Sequence, residues 1–316
     1  MQMIYDRQMT KFLLDSGDPN EYKAIAAIAK KKGSQIWGST TNPSLIAKKL
    51  SRPEQSRRVN QKFTQQEAFN LQKKIVLEIL DTVPGAVSAE VYADEKTSAD
   101  EMIEQGRIIA TWHKRVYVKL PTILEGFKAR SVLRREKIPV NNTLVFSQEQ
   151  VFAICLHEKL IQKEEGPIAP PAGGEWPPFI SPFVGRLDDI GQDGMSFVEN
   201  AMKMKNEYKF TPWMLEASIR NAAHIKRGIA CGVEIMTAPA KAYEEWFALT
   251  NQQKETLNTT SSLTKTPYWQ PPDELLSIAN IAEFMDALEV GALDIKHTLT
   301  DKGLIRFAQD WQAIIK

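Results

Sequence analysis

The chain has 316 residues, 43% of them hydrophobic and 25% charged, with a formal net charge of +1. That balance suits an ordinary globular protein with a large core and leaves no field strong enough to recruit nucleic acid or an anionic membrane. No apolar run reaches the roughly 18 residues of a membrane span, the opening "MQMIYDRQMTKFLL" lacks a signal-peptide layout, and Cys155 and Cys231 form no CxxC pair, so a reducing cytoplasm is the expected compartment.

In chain order, the first strand-like run is 11–16 (KFLLDS). A helix follows at 19–32: Asp18 suits the N-cap, Pro19 the first helical position and Gly33 the stop. The second strand is 36–41 (IWGSTT). Phe69, Ile75, Val76, Ile79 and Leu80 recur with helical spacing and predict a helix over 65–81. Strands at 86–92 (AVSAEVY) and 116–121 (VYVKLP) flank a helix at 98–114. Later strands are 143–147 (TLVFS), 179–184 (FISPFV), 213–219 (WMLEASI) and 232–237 (GVEIMT), with a helix at 195–207.

Two stretches break the alternation. "GPIAPPAGGEWPP" at 166–178 reads as a loop, and the polar run 251–273 reads as a linker to helices at about 273–288 and 301–315. Eight strands alternating with helices predict an α/β fold, a (β/α)8 TIM barrel with additional C-terminal helices. A doubly wound open sheet is the alternative, weakened in its dinucleotide form because no GxGxxG follows the first strand. The expected organisation is one domain over 1–316, with a barrel core at about 10–245 and a helical extension at about 246–316.

Polar residues recur near the C-terminal strand ends, where barrels of this class carry their chemistry. They are Asp15; Thr40 and Asn42; Ser88 and Glu90; Lys119; Asn141 and Thr143; Ser181 with Arg186 beyond it; and Glu216, Ser218 and Arg220 on one parity. Each has a plain structural explanation when taken alone. A strand lysine often lies on an edge, a strand-end Asp or Ser usually caps the next helix, and a strand Glu is often salt-bridged. Their recurrence at one end of successive strands favours a shared mouth.

Such a set suits imine chemistry. An amine held among apolar neighbours is less favoured as a cation. As a neutral nucleophile it forms a Schiff base, an electron sink for making or breaking a C–C bond. Carboxylates move the protons, hydroxyls and amides orient a polyol, and arginines hold a phosphate. His113, His157, His224 and His297 show no ligand spacing, so no metal is expected.

At these residues the sequence resembles the transaldolase family. The resemblance rests on "LLDSGDP" (13–19), "GSTTNPSLI" (38–46), "VSAEV" (87–91), "VYVKLP" (116–121), "NNTLVFS" (141–147), "ISPFVGRLDD" (180–189) and "EASIRN" (216–221). These motifs stand in family order, and "LTDKGLIRFAQDW" (299–311) is similar to the C-terminal helix of smaller members. The resemblance implies that Lys119 forms the Schiff base and that Asp15 is the acid/base of C–C cleavage. It implies that Glu90 works through a water shared with Thr143. It places Asn42, Asn141 and Ser181 on donor hydroxyls with Thr40 near them, and Arg186, Ser218 and Arg220 on the phosphate.

The implied reaction moves a dihydroxyacetone unit from a ketose phosphate, such as sedoheptulose 7-phosphate or fructose 6-phosphate, to glyceraldehyde 3-phosphate or erythrose 4-phosphate. This is the non-oxidative pentose phosphate pathway, with sugar phosphates as the only partners, no cofactor, and a homo-oligomeric state. The alternative is the related fructose 6-phosphate aldolase, a lyase that releases free dihydroxyacetone. In that branch a tyrosine stands at the position of Phe183 and a glutamine at Glu90, so Phe183 and Glu90 favour transfer. Glu216 departs from the small residue usual in the family. By parity with Ser218 it is expected one layer deeper in the barrel, where it pairs with an arginine or lowers the charge of the phosphate site.

Overall fold

A computed structural model describes residues 10–51, 62–166 and 176–316. The N-terminal nonapeptide and most of the 166–178 loop therefore lie outside the described residues.

Eight parallel strands close a barrel in sequence order: β1 (Lys11–Asp15), β2 (Ile36–Thr40), β3 (Val87–Glu90), β4 (Val116–Pro121), β5 (Val140–Val145), β6 (Phe179–Pro182), β7 (Trp213–Glu216) and β8 (Ile235–Ala238). The expected (β/α)8 barrel is thus present. The helices of the outer ring start where their caps dictate. In α1 (Pro19–Lys31) Asp18 accepts from the Asn20 N–H, and in α2 (Pro43–Leu50) Asn42 accepts from Leu45. Capping boxes open α3 (Gln65–Leu80), α4 (Ala99–Ala110) and α6 (Gln148–Glu165). Each box satisfies backbone N–H groups that a helix start leaves unpaired. The ring includes α5 (Leu124–Arg135) and the short α7 (Val184–Asp188), then α8 (Gly194–Glu207), α9 (Ala222–Cys231) and α10 (Ala240–Ala248).

Two apolar layers separate inside from outside. Leu13, Tyr117, Phe179, Leu215 and Ile235 fill the barrel floor, where the Tyr117 and Phe179 rings stack at 4.2 Å. Val118, Leu120, Met214 and Met236 face the helices. This alternation is the two-residue period of a strand buried on both faces.

Three expectations need correction. The fifth strand begins at Val140, three residues before the expected 143, because its opening amides are held by long-range bonds. Asn142 accepts from Arg130 Nε at 3.1 Å and donates to the Phe179 carbonyl at 2.8 Å. The stretch 251–273 is not wholly irregular, since it holds α11 (Asn251–Thr256) and a two-residue strand, Thr264–Lys265, paired with Gln192–Asp193. The helix expected at 273–288 is two, α12 (Asp273–Leu276) and α13 (Ile281–Glu289), because Asn280 caps a fresh start by accepting from Glu283. A final helix, α14 (Thr298–Gln312), returns to the barrel and packs on α2 and β5.

Candidate active site

Register assembles the site. Glu90 pairs with Lys119 across β3 and β4, Lys119 with Asn141 across β4 and β5, and Asp15 with Thr40 across β1 and β2. Residues paired across parallel strands point to the same face, so these side chains enter the barrel together. The apolar floor lies beneath them.

Lys119 is 3% exposed. Its Nζ lies 2.8 Å from Glu90 Oε2 and donates to the Thr41 carbonyl at 3.0 Å. Burial pushes the Glu90 carboxyl above its ordinary range, against the pull of Lys119. Asp15 keeps a narrow opening to the mouth, yet the protein packed around it also raises its carboxyl, opposed by Lys119 and by the Thr40 hydroxyl. Thr40 Oγ1 donates to Asp15 Oδ1 at 2.7 Å and is 2.7 Å from Thr237 Oγ1. The Thr40 proton therefore goes to Asp15, and Thr237 donates to Thr40. Ser181 donates to Asn141 Oδ1 at 2.6 Å, and Asn141 Nδ2 donates to Ser88 at 3.0 Å. Thr143 Oγ1 is buried with no protein partner among the described residues.

A cavity of about 260 Å³ opens beside these groups, but Glu90, Asn141 and Thr143 do not line it; Glu90 meets it only through Lys119 and Asn141 only through Ser181. It is lined by Asp15, Thr40, Asn42, Lys119 and Ser181, and toward the rim by Phe183, Arg186, Ser218 and Arg220. Among the lining residues with no expected role are Thr237 from β8, and Arg306 and Phe307 from α14. Thr237 could have been found from the strand parity of the eighth run. The position of α14 depends on tertiary packing that no local pattern carries. Asn42 contributes with part of its side chain only, since its Oδ1 caps α2 at 2.9 Å from Leu45 N.

The rim is a pair of zipped loops. The Val184 N–H donates to the Ala217 carbonyl at 3.0 Å and the Gly185 N–H to Ser218 at 3.1 Å. A Cβ on Gly185 would fall 2.3 Å from Arg220 Nε, so only glycine lets the arginine lie across this backbone. Ser218 turns out of the strand direction at φ 59°. That turn ends the alternation expected for 216–220.

Glu216 does not point into the barrel. Its partner in the register is Met236, an outward residue, whereas Leu215 and Ala217 face in. The Glu216 carboxyl sits against α9, where a Cβ on Gly228 would lie 1.8 Å from Oε2. It is fully buried, and neither oxygen has a hydrogen-bond partner. Burial raises its carboxyl well above the ordinary range, opposed by Arg227 and reinforced by Glu199. The expected place one layer below the phosphate site is therefore wrong by one residue of parity. No helix among the described residues is long and apolar enough to cross a membrane.

Known proteins resemble this chain over most of its length. A model described as Transaldolase/Fructose-6-phosphate aldolase matches residues 12–316. A probable transaldolase of Herpetosiphon aurantiacus is 30% identical over 96% of this chain and 96% of its own. Probable transaldolase 2 of Listeria monocytogenes is 35% identical over 75% of this chain and 88% of its own. A probable transaldolase of Chlorobium phaeobacteroides is 36% identical over 72% and 86%. With the barrel, the lysine–carboxylate pair and this match over nearly the whole chain, the protein belongs to the transaldolase/fructose-6-phosphate aldolase family.

Proposed function

We propose that the protein is a transaldolase, a transferase that carries a dihydroxyacetone unit from a ketose phosphate to an aldose phosphate through an imine on Lys119. The observation that supports this most is the buried Lys119–Glu90 pair at 2.8 Å, whose Lys119 faces a cavity that Asp15 also lines.

The pair starts the reaction. Glu90, whose proton affinity is raised by burial, takes a proton from Lys119. The neutral amine adds to the ketose carbonyl, and the protonated acid gives the proton back as hydroxide leaves the carbinolamine. Thr143, with its unpaired hydroxyl, holds the water that carries these protons. Asp15 then takes the proton of the hydroxyl beyond the scissile bond. The C3–C4 bond breaks, its electrons pass into the iminium, and an aldehyde departs. The enamine left on Lys119 attacks the acceptor aldehyde, and Asp15 returns its proton to the new hydroxyl. Asn42, Asn141 and Ser181 hold the donor hydroxyls, and Arg186, Ser218 and Arg220 hold the phosphate. Arg306, in the same cavity wall, adds a third cation.

Phe183 favours transfer over release. Its ring lines the cavity and packs edge-on against Phe146 at 5.6 Å, and it offers no proton to the enamine. The experiment is turnover of fructose 6-phosphate with and without erythrose 4-phosphate, together with borohydride reduction of the donor complex. Strict dependence on the acceptor and a reduced adduct on Lys119 are expected. Release of free dihydroxyacetone without acceptor would make the protein a lyase, and an unmodified Lys119 would refute the imine.

A further inference from the structure

His224 belongs to none of the motifs that carry the reaction, yet it joins both loops of the rim. It sits in the first turn of α9, with its side chain 9% exposed. Its Nδ1 accepts from the backbone N–H of Arg220 at 3.4 Å. Its Nε2 lies 2.8 Å from Asp188 Oδ2, at the end of α7. With Nδ1 accepting, Nε2 carries the proton that reaches the carboxylate.

Asp188 is anchored in turn. Its other oxygen accepts from the Gly194 N–H at 3.0 Å. Burial would raise its carboxyl, but the bonds from His224 and Gly194 outweigh it and hold the group below its ordinary range. Arg186 and Arg220 approach the cavity from these two different loops. The hydrogen bonds near β6 and β7 zip the loops close to the strands, at Val184 and Gly185. Farther out the ties include the His224–Asp188 bond, with side chains 9% and 22% exposed, the Arg220–Asp189 pair, 48% and 57% exposed, and Arg227 of α9 on Asp193 at the start of α8, 13% and 3% exposed. An exposed ion pair holds geometry weakly, and the Arg227–Asp193 pair lies beyond α7, so His224 is the residue that fixes α7, which carries Arg186, against the Arg220 backbone.

We propose that His224 is a positioning residue for the anion-binding rim, clamping the β6 loop to the β7 loop so that Arg186 and Arg220 converge on one phosphate. The proposal rests on reading these arginines as the phosphate site. It assigns His224 no contact with the reacting atoms. Its effect falls on binding of the anion and is separable from carbinolamine formation or C–C cleavage.

The test is affinity for inorganic phosphate, measured directly by titration, in His224→Ala, His224→Gln and Arg220→Ala proteins. His224→Ala should weaken phosphate about tenfold, the scale of one charge-assisted hydrogen bond. His224→Gln, which can still donate to Asp188, should recover part of this. A kinetic arm uses fructose 6-phosphate and fructose as alternative donors, both with glyceraldehyde as acceptor. The preference for the phosphorylated donor should fall about tenfold in His224→Ala, and the change should appear in KM more than in kcat. Unchanged phosphate affinity in both His224 variants, with loss in Arg220→Ala, would remove the role of His224 alone. Unchanged affinity in Arg220→Ala would remove the phosphate site itself. If His224→Ala does not fold, Asp188→Ala removes the other end of the same bond and should show the same loss, and unchanged phosphate affinity there would overturn the proposal.

Discussion

Burial without a hydrogen-bond partner favours the neutral form of a carboxyl, and Glu216 is such a group. Its folded-state proton affinity is raised, so the folded chain binds more protons than the unfolded chain above the ordinary value of 4.5. Stability from this group is therefore complete below that value and is lost as pH rises toward the folded-state value. Glu216→Gln should gain about 1–3 kcal/mol over the parent at pH 8 and much less at pH 5. Urea unfolding at the two pH values measures this, and an equal effect at both would show that the carboxyl is not protonated. Asp15 and Glu90 are also raised, but both are opposed by Lys119, and in the proposed reaction they are the groups that move protons. Asp15→Ala should slow transfer about 10²–10⁴-fold, the range for one acid/base group. Single-turnover cleavage should show the loss while borohydride still traps the donor on Lys119, because imine formation relies on Glu90.

At the level of elements, α14 is the part of the site that depends most on fit. Gly303 lies in its interior, and a Cβ there would fall 2.5 Å from Leu144 Cδ2 on β5. Replacing a helical glycine by alanine ordinarily stabilises by about 0.5–1 kcal/mol. Here Leu144 is 1% exposed and cannot yield freely, so overpacking of about 1–3 kcal/mol wins. Gly303→Ala should lower the unfolding temperature and raise KM for phosphorylated donors as Arg306 and Phe307 shift off the mouth. A more stable variant with the parent KM would contradict this. The same elements show what could be read in advance. Strand-end polar residues on β1 to β6 were legible because the two-residue period holds through Asp15, Glu90, Lys119, Asn141 and Ser181. It fails after β7, where Ser218 turns to positive φ, and Glu216 was misplaced for that reason. The start of β5 is not legible because asparagines have little strand propensity, and these are held by distant partners, Asn141 by Ser88 and Ser181, and Asn142 by Arg130 and Phe179.

For the molecule as a whole, the outer core runs without a break from the barrel helices into the C-terminal ones. Phe284 of α13 packs on Phe127 and on His157, and Trp269 packs on Phe152. We therefore expect barrel and extension to unfold in one calorimetric transition, with equal van't Hoff and measured enthalpies. Two resolved transitions would mark a separate domain at about 246–316. The cavity draws on both ends of the described chain, Asp15 on β1 and Arg306 with Phe307 on α14. Order of synthesis then matters. Asp15, Glu90 and Lys119 leave the ribosome long before α14, so a chain stalled short of that helix holds these three residues but lacks one wall of the cavity. Because the outer core is shared with the C-terminal helices, truncated translation products should fail to fold rather than persist as a barrel with an open mouth.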